Sequence, residues 1–176
     1  ALAYYQRAID LGLPQKKAAQ TYYWMARTAS SNNEPEQARN YFLKLADDYP
    51  DTDWAPKALY ERGQLFLSEE RYDASTDAFE LLKERYPNAD ITRRTAMALG
   101  ESYYQQGRYE QAIEAFKNAM PYLDEEMETK AVLLIAESYN YLENFDEAST
   151  YYRQYINRTE GTEAERAAHY GLGWLY

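Results

Sequence analysis

Apolar residues recur at the spacing of one helix face, and two such helices fit into each stretch of about 37 residues. In the clearest stretch, the first apolar stripe ends at a Gln-Gly-Arg turn at 106–108, and a second stripe follows the turn. The first stripe consists of Ala96, Leu99, Gly100 and Tyr103, and the second of Tyr109, Ala112, Phe116 and Ala119. The pattern therefore predicts a chain of helix hairpins.

Three columns of similar residues keep one period of 36 or 37 residues along the whole chain. Small residues form the first column, at Ala26, Gly63, Gly100, Ala136 and Gly173. The second column holds Ala1, Ala38, Ser75, Ala112 and Ala148, and an aromatic residue follows each of them four positions later, at Tyr5, Phe42, Phe79, Phe116 and Tyr152. We expect the small residues to let helix backbones approach closely, with the rings filling the space beside them.

The period predicts ten helices: five that are the first helix of a hairpin, called first helices, and five that are the second, called second helices. First helices are expected near 14–31, 53–68, 90–106, 126–142 and 162–176, and second helices near 1–11, 34–48, 71–85, 109–121 and 145–158. Asp53 before Pro56 is typical of a cap followed by proline in the first turn, and Thr162 with Glu165 matches a capping box.

Composition supports an all-α fold. Glycine and proline are sparse and Val132 is the only valine, which disfavours a sheet. No cysteine is present, so disulfides and thiolate sites are excluded. The formal charge of −10 argues against partners that are nucleic acids and against binding to an anionic membrane surface. No stretch approaches the roughly 20 apolar residues that direct membrane insertion needs.

The stretch GESYYQQGRYEQAIEAFKNAM at 100–120 resembles the tetratricopeptide repeat. The matching positions are Leu99-Gly100, Tyr103, Gly107, Tyr109, Ala112, Phe116 and Ala119, and the proline that ends a repeat is found in Tyr49-Pro50 and Tyr86-Pro87. The resemblance implies a right-handed α-α superhelix of antiparallel helix hairpins, with the first helices forming a concave wall. The organisation it implies is a single solenoid fragment over 1–176, made of a half-repeat (1–13), repeats at 14–51, 52–88, 89–124 and 125–160, and a half-repeat at 161–176.

Three departures from the repeat pattern stand out. The period exceeds the usual 34 residues, and long units ending in Tyr-Pro resemble those of bacterial envelope proteins such as the outer-membrane assembly lipoprotein and the Tol–Pal coordinator. This resemblance favours a periplasmic or envelope location and leaves a cytoplasmic one open. Glu70 and Glu143 stand where the repeat has its turn glycine, and Ser75 replaces an alanine.

Candidate chemistry is sparse. His169 has no metal-binding companion and is expected to pack in the core. The acidic groups at 51–53 and 124–128 precede predicted helices, where negative charge is favoured by the helix dipole. A metal-binding pair at 51–53 and calcium binding at 124–128 are therefore the weaker interpretations. No phosphate loop or catalytic constellation is present. We therefore expect no enzyme activity, no metal and no cofactor.

In the family that the sequence resembles, a peptide or partner segment lies in the groove lined by the first helices. The first-helix positions left over by the core columns are the candidate groove residues. They are Tyr23, Trp24, Arg27, Lys57, Tyr60, Gln64, Arg94, Glu101, Tyr104, Lys130, Glu137 and Tyr141. Aromatic anchors beside a few charges are typical of protein-binding surfaces, although these rings could also cover seams between helices.

Three of these residues are basic and recur once per repeat: Lys57, Arg94 and Lys130. They could follow an acidic or extended ligand, or nearby Glu61, Glu101 and Glu137 could neutralise them. Two function classes remain open: a module that holds a protein or peptide in its groove, and a structural scaffold of an envelope assembly that uses its convex face and ends.

The ends of the sequence begin and stop within a repeat, so we expect a piece of a longer protein. A second helix without its first at one end complements a first helix without its second at the other. This predicts head-to-tail self-association of the truncated fragment, and fraying of both end helices is the alternative. Light scattering at rising concentration separates the two.

Overall fold

The computed structural model describes residues 2–159, and within this range every regular element is a helix. The helices are α1 (Leu2–Asp10), α2 (Gln15–Ser31), α3 (Pro35–Asp48), α4 (Trp54–Ser68), α5 (Tyr72–Arg85), α6 (Asp90–Gln105), α7 (Tyr109–Ala119), α8 (Glu125–Tyr141) and α9 (Phe145–Arg158). A 3-10 turn at Met120–Tyr122 extends α7. The nine helices predicted up to residue 158 are confirmed, with ends within two residues of the prediction.

Several predictions concern positions outside the described residues. They are the helix at 162–176, the half-repeat at 161–176, the capping box of Thr162 and Glu165, the packing of His169 and the association through the two ends.

The chain divides into two compact units, one ending at Thr92 and the other beginning at Arg93. Unit 1 contains α1 to α5, and consecutive helices from α1 to α5 pack against one another. Unit 2 contains most of α6 together with α7, α8 and α9, and α8 packs on both α7 and α9. Each unit is thus built from stacked antiparallel hairpins, as the all-α fold class requires.

The small-residue column marks the closest approach of helices within each unit. A Cβ atom added to Gly63 would lie 2.4 Å from Cε1 of Phe79, and one added to Gly100 would lie 2.6 Å from the Phe116 ring. Both rings are fully buried. The expectation that a ring fills the space beside each small residue is therefore confirmed at these two positions.

Ser75, the departure from alanine in the second column, has a structural reason. It is fully buried, and its hydroxyl donates a hydrogen bond of 3.1 Å to the carbonyl oxygen of Gly63. This bond satisfies a buried hydroxyl and joins α4 to α5 in the same place where Gly63 meets Phe79.

The turns that lack the family's glycine keep its backbone conformation. Gly107 has φ of 72°, and Glu70 and Glu143 both have φ of 57°. Asn33 has φ of 63° at the corresponding turn after α2. The left-handed conformation is strained for a glutamate, so these two turns trade some stability for a side chain.

Helix starts follow the prediction at one of the two acidic sites. The Asp124 carboxylate accepts a hydrogen bond of 2.9 Å from the backbone N–H of Met127 and caps α8. Asp53 lies at the N-cap position of α4 as predicted, but its backbone is already helical and its side chain makes no capping hydrogen bond. A turn that includes Asp53, closed by the Ala55 N–H donating to the Thr52 carbonyl oxygen, begins α4.

Candidate functional site

Six of the candidate residues belong to unit 1 and lie on two first helices that touch each other. Helix α2 contacts α4 directly, although α3 lies between them in the sequence. We call the following set the unit 1 face: Tyr23, Trp24 and Arg27 on α2, with Lys57, Tyr60 and Gln64 on α4.

An aromatic cluster forms the centre of the unit 1 face. The Tyr23 ring lies 5.0 Å from that of Trp54 and meets the Trp24 ring edge-on at 5.7 Å. Phe42 supports Tyr23 from the core, with its ring centroid at 5.6 Å. Trp24 is 46% exposed, so the outermost ring of this cluster faces solvent while its base is fixed.

Glu61 ties the two helices of the unit 1 face together. It accepts hydrogen bonds from the Tyr23 hydroxyl at 2.8 Å and from the Arg27 guanidinium at 3.2 Å. Burial, and then the hydrogen bond to Glu61, raise the pKa of Tyr23 to about 12. The phenol is therefore a stable donor at neutral pH, and Tyr23 is held in one orientation.

On α4, Lys57 uses a ring rather than a carboxylate. Its ammonium lies 5.1 Å from the Trp54 ring centroid, whereas the nearby Glu61 pairs with Arg27. Gln64 donates a hydrogen bond of 2.8 Å to the Tyr60 hydroxyl, and the Tyr60 ring packs on Phe79 at 5.9 Å. Lys57 is thus exposed and positively charged, and Tyr60 is half-buried.

The other six candidates belong to unit 2. We call the unit 2 face the set of Arg94, Glu101 and Tyr104 on α6, with Lys130, Glu137 and Tyr141 on α8. Lys130 forms an ion pair with Glu101. The Tyr104 hydroxyl donates a hydrogen bond of 2.7 Å to Glu137, and burial followed by this bond raises the pKa of Tyr104 well above its usual value.

Three tyrosines meet on the unit 2 face. The rings of Tyr109 and Tyr141 are stacked, 4.6 Å apart and 6° from parallel, and the Tyr104 ring lies edge-on to both. Tyr141 is 60% exposed. The stack gives unit 2 an exposed aromatic surface as well. One of its rings, Tyr109, comes from the second helix α7, and the other, Tyr141, comes from the first helix α8.

Sequence reasoning missed two of these rings. Trp54 lies three residues before Lys57, a spacing that places both on one helix face, and this signal could have identified their contact. Tyr109 was assigned to the core stripe of its helix, yet it is only half-buried and stacks on Tyr141.

Residues 2–159 contain no group of carboxylates and imidazoles arranged to hold a metal ion. In that range no helix combines the length and the apolar character that crossing a bilayer demands. The two faces present aromatic rings, carboxylates that already have hydrogen-bonding or ion-pair partners, and exposed cationic side chains. These groups suit recognition of another molecule.

Comparison with family models identifies the repeats. Residues 20–52 and 130–158 match the tetratricopeptide repeat model. These two stretches carry tetratricopeptide repeats. Residues 53–119, between those two matches, fit the model described as "Outer membrane lipoprotein" (YfiO), so the resemblance to repeat proteins of the bacterial envelope is confirmed as well.

Solved structures of repeat proteins share the fold. MamA from Desulfovibrio magneticus RS-1 has a TM-score of 0.72 and 16% identity over 89% of this chain and 82% of its own. MamA from AMB-1 gives 0.67 and 20% identity over 85% and 77%. The apo form of RapI gives 0.73 and 11% identity over 93% and 49%. A comparison with curated protein sequences finds no significant match. Tetratricopeptide repeats generally mediate protein–protein interaction, and that is the class of function supported for this chain.

Proposed function

We propose that this chain is a non-catalytic interaction module that binds an extended segment of a partner protein on the unit 1 face. One observation carries the proposal: Trp24 is 46% exposed at the top of a cluster whose other rings are held in place. Tryptophan and tyrosine are the residues most enriched among binding hot spots, because a fixed ring buries a large area at little entropic cost.

The polar contacts beneath the rings support the same interpretation. Because Glu61 holds both Tyr23 and Arg27, the ring next to Trp24 needs no reorganisation when a ligand arrives. Lys57 lies beside these rings without a carboxylate partner among residues 2–159, so it can meet an acidic group or a carbonyl of the ligand. The ligand that fits is a peptide with an apolar or aromatic side chain next to an acidic one.

The unit 2 face is proposed as a second surface for the same class of partner. Tyr141 offers an exposed ring on the Tyr109 stack, and Arg94 is an exposed cation with no ion-pair partner in the described part of the chain. Lys130, in contrast, is already neutralised by Glu101. Unit 2 is therefore expected to contribute mainly aromatic contacts.

A structural role in an envelope assembly is the second candidate. It is favoured by the match of residues 53–119 to the outer membrane lipoprotein model, which also makes a periplasmic or envelope location the preferred proposal. In this role the partner would bind the convex face, and changes in the unit 1 and unit 2 faces would leave its affinity unchanged.

The test uses peptides selected by the protein itself. A phage-displayed library of random 12-residue peptides is selected on the wild-type chain, and the winning peptides are measured by fluorescence anisotropy. Replacing Trp24 or Tyr60 by alanine should each weaken binding by about 1 kcal/mol, roughly fivefold. Tyr4→Ala is the matched control, because Tyr4 is 81% exposed on α1 and belongs to neither face.

Equal affinity of the wild-type, Trp24→Ala and Tyr60→Ala proteins for every selected peptide would contradict binding on the unit 1 face. Loss of affinity in Tyr4→Ala alone would place the ligand on α1 and overturn the proposal in the same way.

A further inference from the structure

Three arginines surround one phenylalanine ring in unit 1. The guanidinium carbons of Arg39, Arg62 and Arg71 lie 4.9, 4.9 and 4.8 Å from the Phe66 ring centroid. They come from α3, from α4 and from the residue that precedes α5. We call these residues, together with Glu69, the Phe66 cluster.

The Phe66 cluster carries more positive than negative charge. The Glu69 carboxylate pairs with Arg39 and, at 3.7 Å, with Arg71. Arg62 has no carboxylate within ion-pair distance among residues 2–159. Three guanidinium groups thus share one carboxylate, which leaves two positive charges in excess within a chain of net charge −10.

Two acidic residues near the cluster act on Arg62 through space, without forming an ion pair with it. Asp47 and Asp77 lie close enough to act on Arg62, but Asp47 already forms an ion pair of 2.7 Å with Arg85. Burial, and after it the positive charge of Arg39, lower the pKa of Arg62. An arginine keeps its proton at neutral pH, so an unbalanced cation is held there in a partly desolvated place.

The three arginines of the cluster differ in their exposure to solvent. Arg39 is 8% exposed and fixed by Glu69, whereas the Arg71 side chain is 53% exposed and Arg62 is half-buried. A ligand would therefore meet the accessible guanidinium groups of Arg62 and Arg71, and that of Arg39 lies buried against the same ring. Planar guanidinium forks suit the oxygens of phosphate, which they can bind through paired hydrogen bonds.

We propose that the Phe66 cluster is a phosphate-binding site that receives a phosphorylated side chain of a partner protein. A phosphorylated serine or threonine carries close to two negative charges at neutral pH, which matches the excess of two positive charges. A carboxylate would neutralise only one of them.

This site is separate from the unit 1 face. With 100° per residue, Arg62 and Phe66 lie on the side of α4 opposite to Lys57, Tyr60 and Gln64. Failure of the proposed peptide binding by Trp24 and Tyr60 therefore leaves the phosphate site untouched, and the reverse is equally true.

The first experiment titrates inorganic phosphate into the protein at constant ionic strength and follows the arginine Nε–Hε signals by NMR. We expect saturable shifts, with roughly tenfold weaker affinity in both Arg62→Gln and Arg71→Gln. Arg7→Gln is the matched control, an exposed arginine on α1 of the same unit, and it should bind as the wild type does. Arg71→Gln alters a half-exposed side chain and keeps the test valid if Arg62→Gln fails to fold.

Absence of saturation, or equal affinity in the wild type, Arg62→Gln and Arg71→Gln, would overturn the proposal and leave the three arginines as packing for Phe66. Acetate is titrated in parallel, and binding as tight as that of phosphate would overturn the match to two charges. A peptide with one phosphoserine should bind and its unphosphorylated form should not. If inorganic phosphate binds and this peptide does not, the proposed protein ligand is wrong.

Discussion

In both units a tyrosine on one first helix donates a hydrogen bond to a glutamate on the next first helix, but the other partners of that glutamate differ. Tyr23 donates to Glu61 and Tyr104 donates to Glu137, in each unit from one first helix to the next. Glu61 is also bound by Arg27, whereas Glu137 has no ion-pair partner within residues 2–159. In unit 1 the half-buried carboxylate of Glu61 is therefore stabilised by the positive charge of Arg27 as well as by a phenol. In unit 2 the carboxylate of Glu137 is stabilised by the phenol of Tyr104.

The lysines show the same divergence. Lys57 lies over the Trp54 ring and Lys130 pairs with Glu101, although both belong to the column of basic residues that recurs once per repeat. A shared period therefore fixes the position on the helix from which a side chain extends. Its partner is decided by the few residues around it, and these differ between the units.

The largest change in unfolding free energy is expected at the contact of a glycine with a buried ring, which both units share. Replacing Gly63 or Gly100 by alanine forces a methyl group to within 2.4 or 2.6 Å of a buried ring, so each change should cost about 3 kcal/mol of unfolding free energy. Urea denaturation measures the loss. Adding Phe79→Leu to Gly63→Ala should recover part of it by making room, and failure of this rescue would show that the ring does not cause the cost.

The next largest change in unfolding free energy is expected when the hydrogen-bonding tyrosine of each unit is replaced, and it should differ between the units. Tyr104→Phe should cost about 2 kcal/mol because Glu137 loses its donor, and Tyr23→Phe about 1 kcal/mol because Arg27 still binds Glu61. Chemical denaturation of both variants at neutral pH gives the two values. Equal losses would mean that Arg27 contributes nothing to Glu61.

The pKa of Tyr23 adds a pH dependence to the same comparison. Because the folded-state pKa is about 12 and that of the unfolded chain is near 10, the phenol leaves stability unaffected below pH 10 and lowers it as the pH rises through 12. Tyr23→Phe should make the alkaline decline shallower between pH 10 and 12. A decline as steep as that of the wild type would exclude Tyr23 as a cause.

A smaller effect concerns the lysines. A double-mutant cycle of Lys130→Gln and Glu101→Gln should give a coupling energy of about 0.5 kcal/mol at low salt that is largely screened at high salt. The matched cycle of Lys57→Gln and Glu61→Gln should give a value near zero, since Lys57 contacts Trp54 instead. Coupling of similar size in both cycles would assign the basic column to internal ion pairs throughout.

An effect of similar size is expected at the two strained turns, one in each unit. Glu70→Gly and Glu143→Gly should raise stability by about 0.5 kcal/mol, because relief of the positive φ outweighs the entropy that glycine loses on folding. Glu34→Gly, at a position with φ of −114°, should lower stability slightly and is the control. A gain in the control would point to the removed charge rather than to the turn.

The period of the sequence was sufficient to predict the helices, because each column is set by a packing requirement that repeats. Gly63 and Gly100 were predicted to lie against aromatic rings, and Phe79 and Phe116 do so. The missing side-chain cap at Asp53 has a local cause, because this residue is itself part of the backbone turn that begins α4.

The contacts of the two faces were harder to predict because they depend on long side chains that choose among several partners. From sequence, Lys57 has both Glu61 and Trp54 within reach on its own helix, and only the structure shows that Arg27 takes Glu61. The Phe66 cluster shows the same limit, since Arg39 reaches Phe66 from another helix. Spacing along one helix carries no signal for such a contact.

The contact of Gly63 with Phe79 also bears on how the chain folds. The two residues are sixteen positions apart, as are Gly100 and Phe116, so each of these closest contacts closes a short loop at small entropic cost. Chains dominated by such short-range contacts fold quickly, and each hairpin can form before its neighbours are complete. We therefore expect folding to start independently in units 1 and 2, with a barrier that depends little on the number of repeats.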